Sequence, residues 1–70
     1  MEREAVESSQ VVSVGYDSGA QALEVEFAGG AVYQYAGVPD HVHREMLAAD
    51  SVGRYLNVHI KGAFPYERVS

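Results

Sequence analysis

Between Leu23 and Phe27 apolar and acidic residues alternate without a break, Leu-Glu-Val-Glu-Phe, and two glycines follow at Gly29 and Gly30. A period of two puts Leu23, Val25 and Phe27 on one face and Glu24 and Glu26 on the other, the pattern of a strand lying against a core. The acidic face is expected to meet solvent. After the glycines, Ala31 to Ala36 resumes as a strand with Tyr33 and Tyr35 two apart. A two-residue Gly29-Gly30 turn sets Glu26 opposite Tyr33 and Glu24 opposite Tyr35, leaving both rings on the wet face. A three-residue loop, Ala28 to Gly30 with Gly30 left-handed, sets Val25 opposite Tyr33 and Leu23 opposite Tyr35. Gly-Gly permits either register, and the burial of two rings favours the second.

Upstream, Val11 to Tyr16 reads as a strand in which Val12, Val14 and Tyr16 alternate with Val11, Ser13 and Gly15, and Asp17-Ser18-Gly19 turns the chain. Downstream the period changes. Pro39 disfavours helix before it and Asp40 is a good N-cap, so a helix is predicted from His41 to Ala49, with Val42, Met46 and Ala49 on one stripe. Ser51 offers a second N-cap. Val52, Tyr55, Leu56, His59 and Ile60 then recur at helical spacing, and Lys61 and Gly62 suit the end of that helix. Phe64 to Val69 reads as a short extended tail, which Pro65 confines to a sheet edge or to coil. The expected fold class is α+β: a three-stranded antiparallel meander followed by two short helices, with the tail available as a C-terminal edge strand. Residues 6–69 form one domain, and residues 1–5 are expected to be a flexible N-terminus.

Seventy residues allow one core, and a domain this short buries only ~60% of the surface its unfolded chain exposes. With no cysteine, disulfides and thiol chemistry are excluded. The charged start, Met1-Glu2-Arg3-Glu4, is unlike a signal peptide, and no stretch approaches the ~20 apolar residues of a membrane span. A cytoplasmic location fits. The formal charge of −5 opposes broad binding to nucleic acid, but it is unevenly spread. Residues 1–40 hold one base, Arg3, against seven acids, whereas residues 41–70 hold Arg44, Arg54, Lys61 and Arg68 against three acids.

Reactive constellations are weak. His41-x-His43 points its two imidazoles to nearly opposite sides of a helix, whereas zinc pairs on helices sit three or four residues apart. His59, on the apolar stripe, reads as a partly buried, hydrogen-bonded side chain. Ser8-Ser9 lacks a nucleophile elbow and reads as a capping or turn pair. Glu24 and Glu26 read as a solvated face, because nothing apolar beside them would raise one pKa. No catalytic residue, metal or cofactor is expected, so the chain does not read as an enzyme.

Two features remain. Tyr33, Tyr35, Tyr55, Phe64 and Tyr66 supply most of the aromatic side chains, and a tyrosine can pack its ring while its hydroxyl meets water. Arg54, Asn57 and Lys61 form a polar stripe at i, i+3 and i+7, which Arg68 in the tail can join. Cations, amides and aromatic rings suit a single-stranded nucleic acid, and equally a protein interface. The candidate binding residues are therefore Tyr33, Tyr35, Arg54, Asn57, Lys61, Tyr66 and Arg68.

Val6 with Ser8-Ser9, Val14-Gly15-Tyr16-Asp17, Leu23-x-Val25-x-Phe27, Tyr33-x-Tyr35-x-x-Val38-Pro39, Ser51-x-Gly53-x-Tyr55-x-Asn57-x-x-Ile60 and Pro65-Tyr66, taken in order, resemble the KTSC domain. That family is named for a C-terminal extension of some lysyl-tRNA synthetases and also occurs as free-standing small bacterial proteins. The resemblance covers residues 6–69 and implies a non-catalytic binding module associated with RNA or tRNA. The residues alone leave a second class open, a protein-interaction or self-associating module forming a homodimer through the sheet edge and its aromatic surface.

Overall fold

In the computed structural model, which describes residues 1–70, Gly30 has φ = +95° and the amide of Phe27 donates to the carbonyl of Ala31 at 2.8 Å. These two features close a three-residue loop from Ala28 to Gly30 between β3 (Ala22–Phe27) and β4 (Val32–Tyr35). Leu23 then lies opposite Tyr35 and Val25 opposite Tyr33, the register that adds both rings to the apolar side. β2 (Val11–Asp17) pairs with the other edge of β3, completing the expected meander.

The sheet is larger than three strands. β1 (Glu4–Ala5) pairs with β2 and β5 (Tyr66–Arg68) pairs with β4, giving five antiparallel strands in chain order. The tail therefore forms the edge strand, Tyr66 lying opposite Tyr35 and Arg68 opposite Tyr33. The N-terminus departs from the flexible segment expected. Glu4 and Ala5 lie opposite Val14 and Ser13, and Arg3 reaches over the sheet to the carboxylates of Glu24 and Glu26.

That crossing corrects the reading of the acidic face. Glu24 is 7% exposed, ion-paired to Arg3 and within reach of the Gln34 amide, while Ser13 Oγ donates to Glu26 Oε1 at 2.8 Å. The arm can lie this close because of Gly15. A Cβ built there would stand 2.5 Å from the carbonyl oxygen of Glu2, inside any tolerable contact.

The opposite face carries the core. Val11, Val14, Leu23, Val25 and Tyr35 of the sheet pack with Val38, Met46, Val52, Leu56 and Ile60 in one buried cluster. Full burial of each large apolar side chain contributes ~1.5–3 kcal/mol, so the helices are held mainly by this contact and not by their own propensity. Val11 belongs to the cluster, against the alternation read from the sequence, because the β2–β3 register shifts between Val11 and Ser13. The extra residue, Val12, is turned outward and is 44% exposed.

Helix α1 spans Asp40–Ala48 and buries Met46. Pro39 occupies the cap position without a side-chain bond, and Asp40 starts the helix instead, pairing with Arg44 at 3.4 Å. Ser51 does cap the next helix, its Oγ accepting from the Arg54 amide at 3.2 Å. α2 (Val52–Tyr55) then widens into a π-helical turn over Leu56–Ile60, closed by the Lys61 amide on the Leu56 carbonyl at 2.9 Å. The wider turn keeps Val52, Leu56 and Ile60 on the core. It also moves His59 off that stripe. His59 is exposed, its ring centroid 4.5 Å from that of Tyr55, and is not the part-buried, hydrogen-bonded side chain expected.

Candidate functional site

The residues proposed from sequence divide into two separate places. The first is the rim of the core face beyond the helices, where β4 and β5 run side by side. Residues directly opposite across an antiparallel pair project to the same side, so Tyr33, Tyr66 and Arg68 share this face, while Glu67 shares the other with Gln34 and Glu24. Tyr66 is 61% exposed, stacked on Tyr33 at 5.4 Å between centroids, and Tyr33 meets the edge of Phe27 at 5.5 Å. Lys61 closes the strip, its Nζ lying 5.0 Å from the centre of the Phe27 ring.

Charge on β3, β4 and β5 is thereby sorted by the pleat, while Glu4 of β1, opposite Val14, projects to the helix-covered face. Glu24, Glu26 and Glu67 lie on the face crossed by the N-terminal arm, and the aromatic strip on the other face is flanked by Lys61 and Arg68. Tyr35 does not belong to the strip as a contact residue. At 1% exposure it is core, and burial raises its hydroxyl pKa above the ordinary tyrosine value.

Arg54 and Asn57 lie elsewhere, because the π turn separates Lys61 from the polar stripe read from helical spacing. They face the loop before β2 across a notch of about 270 Å³. Ser8, Ser9 and Gln10 form one wall, and Ser51, Gly53, Arg54 and Asn57 form the other. Asn57 Nδ2 donates to Gln10 Oε1 at 3.4 Å, and a Cβ at Gly53 would meet Ser8 Oγ at 3.1 Å and Gln10 Oε1 at 3.2 Å. Glycine at this position thus lets the loop seat on the helix. The notch was not legible in the sequence, since its two walls lie more than 40 residues apart and the Ser8–Gln10 wall holds no patterned element. Gln10 was missed for that reason.

The remaining titratable groups serve packing. His43 stacks on Tyr16 at 4.5 Å with rings 12° from parallel, and the Tyr16 hydroxyl donates to the Val38 carbonyl. Burial lowers the His43 pKa, outweighing the opposing fields of Asp40 and Glu4. The Tyr55 hydroxyl donates to Glu45 Oε1 at 3.0 Å, joining α1 to α2, and burial first, then this bond, raises its pKa. His41 is exposed and takes no part in a cluster of metal-ligating type. No helix is long and apolar enough to cross a membrane.

Comparison with known proteins agrees with this architecture. The KTSC domain family matches residues 7–64. An uncharacterised protein of Stutzerimonas stutzeri is 51% identical over 57 residues, covering 81% of this chain and 80% of that protein. A lysine–tRNA ligase of Trichormus variabilis is 42% identical over 64 residues, which is 91% of this chain but only 11% of the ligase. The crystal structure of a KTSC domain protein from Yersinia pestis superposes with a TM-score of 0.93 at 38% identity, covering 99% of this chain and 97% of that one. The chain belongs to the KTSC domain family.

Proposed function

We propose that this KTSC domain is a non-catalytic, cytoplasmic binding module that engages single-stranded RNA, in a tRNA-associated setting, through the strip Phe27, Tyr33 and Tyr66 with Lys61 and Arg68. The observation that carries this reading is the sorting of charge across the sheet. A chain of net charge −5 keeps the carboxylates of β3 and β5, Glu24, Glu26 and Glu67, on one face and sets two cations beside three aromatic rings on the other. Bases stack on such rings irrespective of sequence, and the cations meet the backbone phosphates. The lysine–tRNA ligases that contain a similar segment supply the tRNA context.

The test is a titration of labelled single-stranded RNA and of tRNA at two salt concentrations. With few cations available, binding is weak and salt-dependent, and replacing Lys61 and Arg68 together by Ala lowers the logarithmic salt slope by ~1.4, at ~0.7 per contact. Tyr66→Ala removes one stacking ring and weakens binding by ~1–3 kcal/mol. Absence of binding at low salt overturns the reading.

One feature supports the alternative, an interaction or self-associating module: every residue of β5 is exposed at the sheet edge. A dimer dependent on protein concentration and broken by Val69→Lys at that edge would replace the RNA reading.

A further inference from the structure

The geometry points to a second site, independent of the aromatic strip: the notch between the Ser8–Gln10 loop and α2 binds a phosphate group. Its lining holds no carboxylate and no apolar side chain, in a chain with twice as many acids as bases. Its one cation, Arg54, is in no ion pair, whereas Arg3 and Arg44 are both paired to carboxylates.

Hydrogen bonding fixes the sign of what the notch can accept. Ser8 Oγ already accepts from the amides of Gln10, at 3.2 Å, and Val11, at 3.3 Å. Ser51 Oγ accepts from the amide of Arg54 at 3.2 Å. A hydroxyl has one proton and two lone pairs, so Ser8 has only its proton left to offer, and Ser51 keeps its proton free. Gln10 Oε1 is likewise engaged by Asn57, which leaves the Gln10 amide protons available. The surplus capacity facing the notch is therefore weighted toward donors, with a guanidinium beside them. A guanidinium fork and several hydroxyl donors match the oxygens of a phosphate, and Gly53, by bringing no side chain, lets Ser8 and Gln10 stand close to the Arg54 wall.

The experiment follows backbone amide resonances of the full chain during titration with inorganic phosphate, with adenosine 5′-monophosphate, with adenosine and with chloride at matched ionic strength. Phosphate and the monophosphate should produce saturable shifts at Ser8, Ser9, Gly53 and Arg54, and adenosine and chloride should not. Equal affinity for phosphate and monophosphate identifies the free ion as sufficient, while tighter binding of the monophosphate identifies a nucleotide or RNA end. Arg54→Ala, at an exposed position, should weaken binding at least about tenfold without changing the thermal midpoint, the loss expected for one charge-assisted hydrogen bond. Gly53→Ala should weaken binding as well by displacing Ser8 and Gln10, with a loss of stability as the loop lifts, and if that variant unfolds, Arg54→Ala decides alone. Absence of saturable shifts with phosphate, equal shifts with chloride, or unaltered binding by Arg54→Ala overturns the proposal.

Discussion

The two faces of the sheet are closed by different physics. On one, ten buried side chains from strands, helices and the loop at Val38 form a dry cluster; on the other, the arm Met1 to Arg3 lies over a row of polar residues and is tied by Arg3 to Glu24 and Glu26. Apolar burial is proportional to area and insensitive to salt, whereas a partly exposed ion pair is weakened by screening and offset by desolvation. The helix-covered face therefore holds the domain together. The arm-covered face holds Glu24, Glu26 and Glu67, so the rim of the first face at β4 and β5 carries no strand carboxylate.

Substitutions on the two faces should separate these roles. The largest effect is expected from Leu56→Ala, which opens a cavity at a position 1% exposed and should cost ~2–5 kcal/mol in chemical denaturation. An unchanged midpoint would show that the cluster is not the main support. Arg3→Ala comes next, at about 1 kcal/mol, because Glu24 loses its counterion but the arm can lift to let water in. That loss should shrink in high salt, and a salt-independent loss would show that the arm is held by packing.

A smaller effect is expected from His43. Its folded pKa lies below the ordinary 6.5 because burial disfavours the charged ring. The unfolded chain then takes up the proton first, so this contribution is present above pH 6.5 and is lost as the pH falls through the folded value. His43→Phe keeps a ring against Tyr16 and should flatten the stability profile as the pH falls below 6.5, without altering RNA binding. A profile unchanged by the substitution would place the pH dependence in other groups.

The hairpin, both helices and the edge role of the tail were legible because each rests on a local pattern: Gly29-Gly30 before two alternating tyrosines, Ser51 before an apolar stripe, Pro65 before a short run. What escaped is non-local or a one-residue slip. The pairing of Arg3 with Glu24 joins residues 21 apart in a segment with no strand signature, so the acidic face read as wet. The bulge at Val12 and the π turn at Leu56–Ile60 each add one residue to a regular element. Such a slip leaves the element type readable and redirects side chains, which is why Val11 turned inward, His59 turned outward and Lys61 parted from Arg54. Of the proposed site, Tyr33, Lys61, Tyr66 and Arg68 do gather on one rim; Tyr35 was absorbed by the core, since position 35 lies opposite Leu23.

The most direct test is to map which backbone amides shift when single-stranded RNA is added at low salt. Shifts concentrated at Tyr33, Lys61, Tyr66 and Arg68, with Ser13, Glu24 and Glu26 unmoved, are the predicted result. Shifts centred on Glu24 and Glu26, or changes along β5 that follow protein concentration and ignore RNA, would contradict it.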